Sequence, residues 1–265
     1  MSSLLHYLRE LREFATPLPT RSNLNDTGQI TPSEFLVAGD ALVRRNPLFV
    51  WKPAGTGRSV NHLPIERQYL LATKLPSYSR VADLRVVERV FTGHGCEGYC
   101  LPHVGGKESN EDDDDIVVVH GDEHTDGEAG MKKKSRVSLH GQGSSGRSEA
   151  GNDRLYSLCI TYDKFYRTPR VFFHGSNRNG GSLSSEAMLE DVFRDYSSVV
   201  SLEPFAATNQ MMMRIHPCQH ATAMRNVINT LVESDGTYQP RVEHYLLIFL
   251  KIIACVIPTI EYDYE

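Results

Sequence analysis

The stretch RIHPCQHA, Arg214–Ala221, sets Cys218 between His216 and His220, directly behind Pro217 and ahead of an amphipathic helical pattern. Three chemistries fit a thiol so placed. Zinc accepts sulfur and imidazole nitrogen, so the three residues could share a metal. A lone cysteine ahead of a helix is ordinarily a small buried apolar residue. A thiol at a helix start can also be a nucleophile, because cysteine is a few per cent thiolate even when unperturbed and the positive end of the helix favours the anion. The imidazoles are equally open: His216 as a brace for the loop or a proton carrier, His220 as an exposed or loop-bracing residue in the first helical turn. The local residues do not choose among these.

A second thiol cluster, Cys96-x3-Cys100-x2-His103 with His94 nearby, has donor types that zinc takes but lacks a second cysteine pair at convincing spacing. No metal site and no cofactor is expected. The five cysteines are odd in number and irregularly spaced. The N-terminus MSSLLHYLRELRE mixes charge into its apolar residues and is no secretory signal, so the thiols imply a reduced, cytoplasmic setting. A net charge of −5 gives no case for nucleic acid. The longest apolar run, YLLIFLKIIACVIPTI at 245–260, contains Lys251 and Pro258 and is too short to span a bilayer. It reads as a buried C-terminal helix.

The elements around the cysteine follow from periodicity. Residues 2–14 place Leu4, Tyr7, Leu8, Leu11 and Phe14 on one helical face opposite Arg9, Glu10, Arg12 and Glu13, ending at Pro17 and Pro19. Thr31, Pro32 and Glu34 spell a capping box that opens a helix over 31–43, with Phe35, Ala38 and Leu42 inward. PLFVW at 47–51 and RQYLLATKL at 67–75 read as strands, and 154–163 with 169–175 as a hairpin joined through KFYRT. A helix follows over 183–195, a strand over 197–205, and the cysteine loop. From Ala221 a helix presents Met224, Val227, Ile228 and Leu231, and a last helix begins near Arg241 after SDGTYQP.

Between the ordered parts, residues 92–152 hold NEDDDD, KKK and GQGSSGRSEAGN with few large apolar residues. Such a composition cannot bury enough surface to offset its ordering entropy, and a structureless loop this long is usually functional. The expected organisation is an amphipathic segment at 1–19, a first core part at 20–76, a flexible insertion at 77–153 and a second core part at 154–265. The element order is that of an α+β layer, an antiparallel sheet flanked by helices.

Taken together, TGQITPSEFLVAGD (27–40), ITYDKFYRTPRV (160–171), SSEAMLEDV (184–192), IHPCQHATAM (215–224) and YLLIFLKIIACVIPTIEYDY (245–264) resemble the autophagy-related ubiquitin-like-conjugating enzymes. The resemblance implies a ubiquitin-conjugating-enzyme-like core. It implies that Cys218 accepts the C-terminal glycine of a ubiquitin-like modifier as a thioester and passes it to the amine of phosphatidylethanolamine, with His216 supporting the loop. It further implies that Leu4, Tyr7, Leu8, Leu11 and Phe14 dock on membranes. Tyr99, Asp112, Asp113, Asp114, Asp115, Ile116 and Val117 would contact the activating enzyme, and the autophagy scaffold conjugate is a further partner. The chain departs from the family at Val199, where a threonine is usual, and in the short ESDGTYQP connection between its last two helices.

Overall fold

The computed structural model describes residues 17–19, 21–84, 153–234 and 236–262, together with two short strands at 115–116 and 137–138. Chain order gives a one-turn helix α1 (Leu24–Thr27), the helix α2 (Pro32–Arg45), and strands β1 (Val50–Lys52) and β2 (Tyr69–Ser77). The paired β3 (Asp115–Ile116) and β4 (Val137–Ser138) follow, then β5 (Arg154–Asp163) and β6 (Thr168–Asn177). A short α3 (Ser185–Leu189) leads to β7 (Val200–Pro204), β8 (Met211–Ile215), α4 (His220–Ser234) and α5 (Tyr245–Val256).

Six strands form one antiparallel sheet in the order β1-β2-β5-β6-β8-β7. The period-2 alternation of strands decides what each face meets. Leu70, Leu158, Ile160, Val171, Phe173, Met213 and Ile215 face the helices and merge with Phe35, Leu42, Met224, Ile228, Phe249 and Ile253 into the main core. On the opposite face Tyr69, Cys159, Phe172 and Met212 are covered by Phe205 and Ala207 from the β7–β8 connection. This is the expected α+β layer.

Most of the expected elements lie within a few residues of expectation, but α1 and β8, the strand that delivers the cysteine loop, were not among them. The capping box of α2 is formed: Thr31 Oγ1 accepts from the Glu34 N–H at 3.2 Å and Glu34 Oε2 from the Thr31 N–H at 2.7 Å. The apolar C-terminal run is the buried α5, and among the described residues no helix is long and apolar enough to cross a membrane. The helix expected over 183–195 is different. It stops at Leu189, and a tighter 3-10 turn occupies Arg194–Val199.

Asp191 is the reason for that break. Its carboxylate is fully buried and accepts from Arg80 Nη1, Thr259 Oγ1 at 2.9 Å, Arg154 Nη1 at 2.7 Å and the Tyr156 hydroxyl. A continuous helix would compete with these partners for its direction. The Phe193 N–H, released from any helical bond, donates instead to the Val256 carbonyl at 2.8 Å. The core also runs on past Pro76: Ser77 is fully buried, and Arg80 inserts its guanidinium beside Asp191. The amphipathic segment at 2–14 lies outside the described residues.

Candidate active site

The cysteine turn is built where β8 ends. Ile215 pairs with Val200 on one side and Val171 on the other, fixing the strand that delivers the loop. His216 leaves the sheet with its N–H on the Val199 carbonyl at 2.8 Å. Pro217 is buried and starts a 3-10 turn, Pro217–Gln219, that runs directly into α4. The fixed φ of proline suits a first helical position, where no N–H is needed. Cys218 sits on the outside of this turn, exposed, two residues before a 15-residue helix whose N-terminus carries partial positive charge.

The other described cysteines are unlike it. Cys159 is 4% exposed within the covered face of the sheet, and burial pushes its thiol up to about 12. Cys255 is half-buried. Of the three readings open to Cys218, a buried core residue is therefore excluded by its exposure. Among the described residues no group of three His, Cys, Asp or Glu side chains is placed to hold a metal. The cluster His94, Cys96, Cys100 and His103 lies outside the described residues.

The two histidines have separate tasks. His216 Nδ1 accepts the Cys218 backbone N–H at 3.3 Å, so the ring braces the turn it precedes. That imidazole also meets the Tyr166 ring in a T-shaped contact, with centroids 5.5 Å apart and planes at 76°. His220 is fully buried; its Nδ1 pairs with the Pro169 carbonyl at 2.8 Å and its ring stands edge-on to Phe249 at 5.0 Å. Burial pushes this imidazole down to about 4. It ties α4 to the start of β6 as a neutral ring, which settles its role as bracing and rules out the exposed alternative. At the start of the turn the Cys218 amide is taken by His216 and that of His220 by the Pro217 carbonyl.

Two residues that sequence reasoning passed over complete the setting. Asp163 ends β5 almost wholly buried. Burial opposes its ionisation, yet Arg170 and the N–H groups of Tyr166 and Phe165 outweigh that and hold its carboxyl below the usual range. An aspartate capping the first amides of a turn is a local signal that the run YDKFYRT contains. Gly28, at φ +70°, packs so closely on α4 that a Cβ there would lie 2.2 Å from the Ala221 carbonyl oxygen. Its own carbonyl accepts from the buried Tyr245 hydroxyl at 2.7 Å.

Val199, where a threonine was the family expectation, is half-buried against the main core, with only its carbonyl engaged by the cysteine loop. Of the expected partner contacts, Leu4, Tyr7, Leu8, Leu11, Phe14, Tyr99, Asp112, Asp113, Asp114 and Val117 lie outside the described residues. Asp115 and Ile116 form β3 and pair with Ser138 and Val137.

Comparison with known proteins gives one consistent result. Residues 34–264 match the family described as autophagocytosis associated protein, active-site domain. Three relatives named Autophagy-related protein 3 align over nearly their whole length. The protein from Pichia angusta is 30% identical, with 97% of each chain covered. That from Schizosaccharomyces pombe is 30% identical over 96% of this chain and 94% of the relative. That from Arabidopsis thaliana is 29% identical over 92% of this chain and 90% of the relative.

Proposed function

Because this chain belongs to the autophagocytosis-associated active-site family and is a ubiquitin-like-conjugating enzyme of autophagy, we propose that Cys218 carries the modifier as a thioester and delivers it to phosphatidylethanolamine. One observation supports this above others: the exposed thiol at the mouth of α4, against the sealed thiol of Cys159. A carboxylate resists attack by an amine, whereas a thioester yields to it because thiolate is a good leaving group.

The reaction has two displacements. In the first, the Cys218 thiolate attacks the modifier's C-terminal carbonyl, held as a thioester on the activating enzyme. A new carbon–sulfur bond forms, the old one breaks, and the activating enzyme regains its thiolate. In the second, the lipid amine attacks the same carbonyl, a carbon–nitrogen bond forms, and the amine gives up a proton as Cys218 departs as thiolate. Each tetrahedral intermediate places negative charge on oxygen near the start of α4, where the helix dipole opposes its cost.

Under this reading the enzyme works in the cytoplasm and docks transiently on autophagic membranes. Leu4, Tyr7, Leu8, Leu11 and Phe14 supply the apolar face of an interfacial helix. Tyr99, Asp112–Asp115, Ile116 and Val117 receive the activating enzyme, and the autophagy scaffold conjugate is a further partner. No cofactor enters either step.

The test is reconstitution of the chain with modifier, activating enzyme, ATP and liposomes. With phosphatidylethanolamine present, the modifier becomes lipid-linked; in liposomes of phosphatidylcholine alone it does not. Lipid-linked modifier formed by a Cys218→Ser variant at the wild-type rate would remove the proposal. A thiol-labile adduct with no lipid product would favour a protein lysine as acceptor.

A further inference from the structure

The cysteine turn leans on a neighbour that is itself held on three sides. Asp163 Oδ1 accepts the N–H groups of Phe165 and Tyr166, each at 2.9 Å. The Tyr166 carbonyl accepts Gln29 Nε2 at 3.2 Å, and the Arg167 carbonyl accepts the Ile30 N–H at 2.9 Å. Arg167 adopts φ +57°, closing the turn with its N–H on the Asp163 carbonyl at 2.7 Å. A residue without the glycine option persists in that region only where its surroundings over-determine it. The tip of the β5–β6 hairpin is thus a rigid abutment.

From this abutment a line of rings runs to the sulfur's own residue. Phe165 stands edge-on to Tyr166 at 4.9 Å, Tyr166 stands edge-on to His216 at 5.5 Å, and His216 Nδ1 takes the Cys218 N–H. An imidazole on a loop can turn about two side-chain bonds, and only a narrow range of those angles keeps Nδ1 on the amide. The Tyr166 ring packs against that imidazole, and such a contact limits how far it can turn.

The geometry points to Tyr166 as a positioning residue for Cys218, acting through the imidazole of His216. This rests on the reading of Cys218 as the acyl-accepting thiol. Tyr166 acts through His216, which it restricts, and His216 restricts the turn that presents the sulfur. Misplacing a nucleophile by a fraction of its bond length slows attack, so loss of the ring lowers the rate of acyl transfer on the order of tenfold. Because both residues act along one chain of contacts, their effects cannot multiply.

The experiment is single-turnover loading of Cys218 from the charged activating enzyme, using full-length Tyr166→Ala, His216→Ala, the double variant and Tyr166→Phe. A thermal melt of each confirms that it is folded at the assay temperature. The expected result is that each alanine variant loads about tenfold more slowly and the double variant is no slower than the worse single one. Tyr166→Phe, which keeps the ring, recovers the rate to within about twofold. Multiplying effects, or folded alanine variants that load at the wild-type rate, would overturn the proposal. Loss of the adduct in Cys218→Ala, run alongside, keeps the reading of Cys218 intact in that case. An adduct that survives this substitution unchanged refutes the reading itself and the positioning role with it.

Discussion

Replacing Asp191 by asparagine removes one charge and leaves the shape of the side chain nearly unchanged. The structure sets the size of the effect. Arg80 and Arg154 keep only 8% and 11% of their side-chain surface exposed, and both aim guanidinium groups at this one fully buried carboxylate. Ser77, Thr259 and Tyr156 add hydroxyl donors to the same two oxygens. An asparagine must turn an N–H₂ group toward one of the cations, so a buried positive charge loses its counterpart. Breaking a buried pair by removing one partner costs about 3–5 kcal/mol. For a domain of this size that lowers Tm by roughly 10 °C.

Urea unfolding followed by circular dichroism measures it: the midpoint falls while the slope stays constant. The chemistry is spared at temperatures well below the melt. The pairing partner Arg154 opens β5 and the cysteine turn abuts its other end, a span of about 30 Å at 3.3 Å per residue. Thioester loading at 15 °C therefore matches wild type. A stability loss under about 1 kcal/mol would show that water screens the pair. A loading defect in the folded variant would show that the network reaches the cysteine.

Three further outcomes are expected. Gly28→Ala puts a Cβ into the backbone of α4 at a positive φ, so a loss of at least about 2 kcal/mol is expected by the same urea assay; an unchanged midpoint would mean that α1 simply moves away. His220 binds its proton at about 4 when folded against 6.5 when unfolded, so the unfolded chain takes up more protons between those values. Stability contributed by the neutral ring is complete above pH 6.5 and falls as pH drops toward 4, by about 3 kcal/mol over the window. Urea midpoints at pH 7 and pH 5 check this, and a stability that rises on acidification would contradict it. Leu8→Asp, which puts a charge on the apolar face of the N-terminal segment, slows lipid transfer on liposomes and leaves adduct formation intact; full transfer would exclude a membrane role for that face.

What could be read from the sequence was local. The capping box of α2 needs only Thr31, Pro32 and Glu34, and its two hydrogen bonds are both present. The β5–β6 hairpin was legible from its alternation and turn residues, whereas the residues around Cys218 left its role open and only the family resemblance chose the nucleophile. What escaped depends on distance along the chain. Asp191 looked like one more polar residue on a helix over 183–195; its partners Arg80 and Arg154 lie 111 and 37 positions away. The burial of His220 depends on Pro169 and Phe249, and no window around RIHPCQHA contains either. The bracing of His216 by Tyr166 has the same origin, although the Asp163 cap that holds Tyr166 was visible in its own heptapeptide.

In the proposed reaction the sulfur of Cys218 bears the modifier. Intact mass spectrometry after brief incubation with charged activating enzyme, followed by peptide mapping without reductant, tests it most directly. The expected product carries one added modifier less a water, located on the peptide containing Cys218 and released by excess thiol, with Cys159 and Cys255 unmodified. An adduct that resists thiol, or maps to any other residue, would contradict it.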